Sequence, residues 1–116
     1  MGSKGKGGRM RYQPPSSSNM LRQVQQLQSQ MLQAQEELAQ ETVTASVGGG
    51  AVTVVMTGQQ EVRTVHIDPE AVRPEDVEML QDLIVTAVNQ AIKQSRELSE
   101  KKMSPLAGAL NLPGLM

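Results

Sequence analysis

Five residues of this 116-residue chain could do acid–base chemistry or hold a metal: His66, Asp68, Glu75, Asp76 and Glu78. His66 is the only histidine. It sits in an alternating apolar–polar segment with no nucleophile–base pair in view, and so reads as structural. Asp68 precedes Pro69, which marks a turn or the cap of a following helix. Glu75, Asp76 and Glu78 could attract a divalent cation, but carboxylates at the start of a helix are ordinary partners of its positive end. Gly48-Gly49-Gly50 lacks the Lys-Ser/Thr that completes a phosphate-binding loop and fits a hairpin link. The chain has no cysteine, which excludes thiolate catalysis, disulfides and cysteine-bound metals. The expectation is a protein that is not an enzyme, with no metal, no cofactor and no small-molecule substrate.

The remaining chemistry is that of cations facing phosphate. Residues 1–35 carry Lys4, Lys6, Arg9, Arg11 and Arg22 and no acid, while all twelve carboxylates lie between Glu36 and Glu100. A formal net charge of −1 conceals this segregation, which bears on partners more than the total does. Lys101 and Lys102 close a helical pattern, where cations are stabilising by about 0.3–1 kcal/mol whatever the function. Arg22 has no such explanation, because it stands at the positive end of its helix while Glu36 and Glu37 stand near the negative end.

These residues are carried by a simple order of elements. Met20, Val24, Leu27, Met31, Ala34 and Leu38 recur at alternating spacings of four and three, the seam of an amphipathic helix beginning near Ser18 or Asn19. From Thr42 to Ile67 the period changes to two. Val43, Ala45 and Val47 share one face of a first strand, and Val52, Val54 and Met56 share one face of a second. In a third, Val62 falls out of register with Val65 and Ile67, so that either a bulge intervenes or both faces are partly covered. Apolar residues on both faces favour the second, with helices on one side and another subunit's sheet on the other. A second helix follows Pro74, with Val77, Leu80, Ile84, Ala87, Ala91 and Leu98 along its seam; it is expected to stop at Lys102 or Met103, ahead of Pro105. The fold class is α+β, ordered α-β-β-β-α, with a three-stranded antiparallel meander between two long helices. Residues 19–103 are expected to form the domain, flanked by a disordered basic segment (1–18) and a flexible C-terminal segment (104–116) rich in Pro and Gly.

With no Phe, no Trp and one Tyr, the core is thin, and a homodimer sharing one core is expected. Val52, Val54, Val55, Met56, Val62, Val65 and Ile67 are the residues assigned to that interface. No run of 18 apolar residues exists and the N-terminus lacks the apolar segment of a secretory signal, so a soluble cytoplasmic protein without membrane partners is expected.

Several stretches together resemble the YbaB/EbfC family of nucleoid-associated proteins. They are Gly48-Gly49-Gly50, Glu61-Val62, Val65-His66-Ile67-Asp68-Pro69, Glu78-Met79-Leu80-Gln81-Asp82-Leu83-Ile84, Ala87-Val88-Asn89-Gln90-Ala91 and Asn111-Leu112-Pro113-Gly114. The resemblance spans about residues 19–116 in order. Gln81 stands where the family often has an acid, and the basic N-terminal segment is longer than the family's usual Gly-rich start. The resemblance implies a tweezer-like homodimer with projecting helix pairs, which binds duplex DNA and has no enzymatic activity.

If the two helices lie antiparallel, the start of the first meets the end of the second. That arrangement would gather Arg22, Lys93, Arg96, Lys101 and Lys102 at a basic tip, from which the segment with Lys4, Lys6, Arg9 and Arg11 departs. Nothing resembles a helix face of base-reading side chains, so contacts mainly to phosphates, with low or shape-based sequence preference, are expected. A rival reading is a dimeric adaptor or chaperone-like module that grips protein helices between its coiled-coil arms. The Gln-rich, Met-containing first helix suits adaptable packing of that kind.

Overall fold

The structure is a computed structural model that describes the backbone of residues 15–110 and the side chains of residues 18–108. A helix α1 (Pro15–Gln40) leads into strands β1 (Thr42–Val47), β2 (Val52–Thr57) and β3 (Val62–Ile67). Two 3-10 turns, Pro69–Ala71 and Pro74–Asp76, then deliver the chain to the long helix α2 (Val77–Leu110). The chain divides into two compact units within α1, Met1–Gln30 and Met31–Met116. In the first unit, the described residues are the helical turns from Pro15 to Gln30, on which Met20, Leu21 and Val24 are exposed. All that follows concerns the second unit unless stated.

The sheet is antiparallel in the order β1-β2-β3. Its first turn needs glycine. Gly48 and Gly49 adopt left-handed φ of +65° and +67°, and a Cβ on Gly48 would approach Leu83 to 3.0 Å. Alternation places Val43, Ala45 and Val47 beside Val52, Val54 and Met56, facing α2, while Thr42, Thr44 and Ser46 face outward. α2 packs chiefly on β1 and β2, and small residues make the contact close: Ala45, Ala87 and Ala91 are fully covered, with Val52 and Val54 between the strands and the helix.

β3 corrects the expectation of two covered faces. Val55 pairs with Thr64 and Met56 with Val62, so Arg63 is an extra residue in the ladder. This bulge turns Val62 back to the side of Val65 and Ile67, opposite Met56, Val54 and Val52. Because α2 stops short of β3, Val62 and Val65 remain 48% exposed on the inward side. The outer face of the sheet is mostly hydroxyl-bearing, with a Ser46–Thr53 contact of 3.2 Å across the strands. Among the residues assigned to an interface, Val52, Val54 and Met56 are at most 2% exposed and belong to the chain's own core.

Helix boundaries also differ from expectation. α1 begins at Pro15 rather than Ser18 or Asn19, with proline at a first helical position that tolerates it. α2 does not end at Lys102 or Met103 but continues through Pro105 to Leu110. Proline there removes one helical hydrogen bond, a cost of about 3 kcal/mol in an isolated helix. The partial burial of Met103 and Leu106 opposes it, and the helix persists. At its start, Asp76 Oδ1 accepts from the Met79 N–H at 3.3 Å, so this acid is a cap, as Asp68 is for the preceding turn through Glu70 N–H at 3.0 Å.

The turn from β2 to β3 holds the unit together. Ser95 Oγ, fully buried on α2, donates to the Thr57 carbonyl at 2.8 Å, and the Gly58 N–H donates to the Leu38 carbonyl at 2.9 Å. A Cβ on Gly58 would sit 2.6 Å from Leu38 Cδ2 and 3.0 Å from the Leu38 carbonyl oxygen. Gly58→Ala therefore pushes the last turn of α1 off the hairpin. The expected loss is about 1–3 kcal/mol in urea unfolding, the range for overpacking a close contact. A variant as stable as the parent would mean that this approach does not hold α1.

Candidate nucleic-acid interface

The assigned basic residues differ in their surroundings. Lys4, Lys6, Arg9 and Arg11 lie outside the described residues. Arg22 is exposed on the portion of α1 in the first unit. Lys93, Arg96 and Lys101 are exposed on α2, and Lys102 turns the other way.

Lys102 does not join a basic tip. Its ammonium group donates to Glu37 Oε1 at 2.9 Å and also to the Glu41 carboxylate, both at the C-terminal end of α1 rather than its start. The hydrogen bond and the attraction of Lys102 hold the Glu37 carboxyl below the usual carboxylate range. The carboxylates of Glu41, first, and Glu37 raise the lysine in turn. Two carboxylates around one ammonium leave little charge for an external phosphate.

The same cluster resolves the reversed charge of α1. The last turn of that helix contains no basic residue, yet cations reach it from elsewhere in the chain. The Arg63 guanidinium donates to the Ala39 carbonyl at 3.0 Å, and the Gln59 amide donates to the Gln35 carbonyl at 2.9 Å. With the Gly58 N–H on Leu38, these donors satisfy carbonyls that a helix end leaves free. Lys102 and Arg63 supply the positive charge that the negative end favours.

Lys93 and Arg96 flank Ser95, so they stand beside the end of the sheet, with α2 continuing past them. Their neighbours on the exposed side include Glu97 and Glu100. The spacings Lys93–Glu97, Arg96–Glu100 and Glu97–Lys101 are each four, which puts opposite charges on adjoining turns. None of these pairs closes to an ion-pair distance, and among the described residues the ion pairs are those of Lys102. The three cations are therefore free to meet a ligand, although the stripe they form is nearly balanced in charge. Sequence spacing identified these residues; it carried no sign of the 61-residue link between Lys102 and Glu41.

A family described as the YbaB/EbfC DNA-binding family matches residues 14–110, which include both helices and the sheet. The chain belongs to the YbaB/EbfC family. A protein of Syntrophobacter fumaroxidans named "Nucleoid-associated protein" is 54% identical over 97 residues, covering 84% of this chain and 88% of its own length. A protein of the same name from Desulforamulus reducens is 53% identical over 98 residues, covering 84% of this chain and 93% of its own. The crystal structure of an uncharacterised Helicobacter pylori protein superposes with a TM-score of 0.57 at 26% identity, covering 67% of this chain and 90% of that one. The α-β-β-β-α order expected from the sequence is the order seen in the structure. No helix among its described residues is long and apolar enough to cross a membrane.

The Glu37–Lys102 cluster makes a pH prediction with a definite sign. Glu37 lies below its ordinary value of 4.5, so its contribution is complete above 4.5 and is lost as pH falls through the lowered value. Lys102 lies above its ordinary value of 10.5, so its contribution is complete below 10.5 and is lost as pH rises through the raised value. The difference in urea midpoint between the parent and Lys102→Gln is expected to be constant from about pH 5 to about pH 10 and to shrink on both sides. A difference independent of pH would show that the ionic contacts contribute nothing.

Proposed function

We propose that this chain is a nucleoid-associated protein that binds duplex DNA as a homodimer, chiefly through phosphate contacts and with low or shape-based sequence preference. The observation that carries the reading is membership of a DNA-binding family over residues 14–110, joined to exposed cations without carboxylate partners on α2. Arg22, Lys93, Arg96 and Lys101 are the contacts assigned within the described residues; Lys4, Lys6, Arg9 and Arg11 add a segment without acids. Lys102 leaves the set, since displacing two carboxylates would oppose each phosphate contact it made. By influencing nucleoid organisation, such binding would act on gene expression.

The dimer reading rests on uncovered apolar surface. Val62 and Val65 of β3 stay exposed on the inward side, and Val85 is 57% exposed on α2. Val85, Val88 and Ile92 continue, at helical spacing, to Ser99 and Met103, which border the β2–β3 turn. A second subunit that covered Val62 and Val65 would also cover Val85 if this row of α2 faces the β3 side. Ile67 is half-buried on the same inward side, while Val55, also half-buried, lies on the outer face of the sheet.

A gel-shift titration with unrelated duplexes tests the binding. If a dimer neutralises six to ten phosphates, affinity falls by about 10³–10⁵ between 50 and 200 mM salt. Deleting residues 1–17 lowers the salt slope if that segment contributes, and reversal of Arg96 and Lys101 to Glu abolishes the shift. Unchanged binding in the reversal variant would remove α2 from the interface. Val65→Asp is expected to give monomers in sedimentation velocity, and a dimer that survives it lies elsewhere.

A further inference from the structure

The β2–β3 turn and α2 enclose a cleft of about 460 Å³, open to solvent. Its lining combines the apolar Leu38 and Met103 with the hydrogen-bond donors Gln60, Arg96 and Ser99 and the acid Glu100. Gln60 stands on one side, and Arg96 with Ser99 on the other, one helical turn apart. We infer that this cleft seats one backbone phosphate of duplex DNA, held between the Arg96 guanidinium, the Ser99 hydroxyl and the Gln60 side-chain amide. The inference rests on the DNA-binding reading and adds to it a contact from the hairpin, which carries no cation in its turn.

Three observations support it. Among the described residues, Gln60 is the non-glycine residue with positive φ, at +65°. Glycine would adopt that conformation without strain, so the side chain is held there against local preference. The turn is also fixed in place, by Thr57 N–H to Glu61 carbonyl at 2.8 Å, by Gln60 N–H to Thr57 carbonyl at 3.0 Å, and by Gly58 on Leu38. A fixed turn orders its side chain at less entropic cost than a mobile loop would. Finally, Arg96 forms no ion pair although Glu100 borders the same cleft, so the guanidinium is available. Guanidinium, hydroxyl and amide donors that line one cleft are the groups that bond phosphate oxygens. Glu100 acts in the opposite direction and weakens the site.

The test uses the full chain in fluorescence-anisotropy titrations of a duplex at several salt concentrations, with thermal melting alongside. Gln60→Gly relieves the left-handed strain, so its melting midpoint is unchanged or higher. Its affinity is expected to fall about ten- to a hundredfold, the value of one hydrogen bond to a charged group, with the salt slope unchanged because no charge is lost. Arg96→Gln lowers the slope by about two, as for one released counterion from each subunit of the dimer. Glu100→Gln tightens binding. Gln60→Gly that binds as the parent does, or Glu100→Gln that binds no more tightly, overturns the cleft while leaving the DNA reading standing. A parent chain that fails to bind duplex DNA overturns both.

Discussion

With no phenylalanine or tryptophan, α2 can approach the sheet only as closely as Ala45, Ala87 and Ala91 allow, and the rest of the structure depends on that approach. Small residues bring backbone near backbone, so Val52, Val54 and Met56 fill the space that aromatic rings occupy in larger cores. The same closeness makes buried polar groups affordable only when paired. Ser95 meets this condition through the Thr57 carbonyl, and Thr57 Oγ1 in turn accepts from the N–H groups of Gln59 and Glu61 at 3.2 Å each. One residue, Thr57, thereby ties helix, strand and turn together. A contact surface this narrow covers two strands of three, which is why β3 keeps apolar side chains in the open.

The end of α1 follows from the same turn. Its last carbonyls meet the Gly58 N–H, the Arg63 guanidinium and the Gln59 amide, and its acidic side chains meet Lys102. A helix whose own charges oppose its dipole is stabilised by cations from β3 and α2. The bulge at Arg63 contributes twice. It restores the inward register of Val62, and it adds the residue whose guanidinium reaches α1.

What could be read from the sequence was what depends on short range. Period-two alternation gave β1 and β2 and their inward residues, and the glycine triplet gave the first hairpin. Asp68 as a cap was legible for the same reason, since its partner is two residues away. The failures lie where partners are distant. Lys102 reads as a basic helix end because Glu37 and Glu41 are more than 60 residues earlier. Pro105 reads as a stop because the burial of Met103 and Leu106 is a tertiary fact. The out-of-step Val62 admitted two explanations; pairing with β2 selects the bulge. The candidate site shows the same division. Exposure of Lys93, Arg96 and Lys101 followed from helical spacing, while nothing local in Gly58-Gln59-Gln60 indicated that the turn borders Arg96.

Charge placement then separates two parts of DNA recognition. On α2, Lys93, Arg96 and Lys101 alternate with Glu97 and Glu100 over adjacent turns. Opposite charges that close together largely cancel beyond a Debye length, about 8 Å at physiological ionic strength, so this face projects a weak field. Residues 1–35 have five cations and no acid, and their field does not cancel. Under the proposed function, attraction at a distance would belong to the N-terminal part of the chain. α2 would act at contact range, where each guanidinium or ammonium group would bond a phosphate individually and a neighbouring glutamate would limit the strength of the contact. In such a division, removing the N-terminal cations slows association, and altering the α2 side chains speeds dissociation. On these terms a chain with a net charge of −1 could bind a polyanion, because its first 35 residues carry five cations and no acid while the twelve acids all follow in sequence.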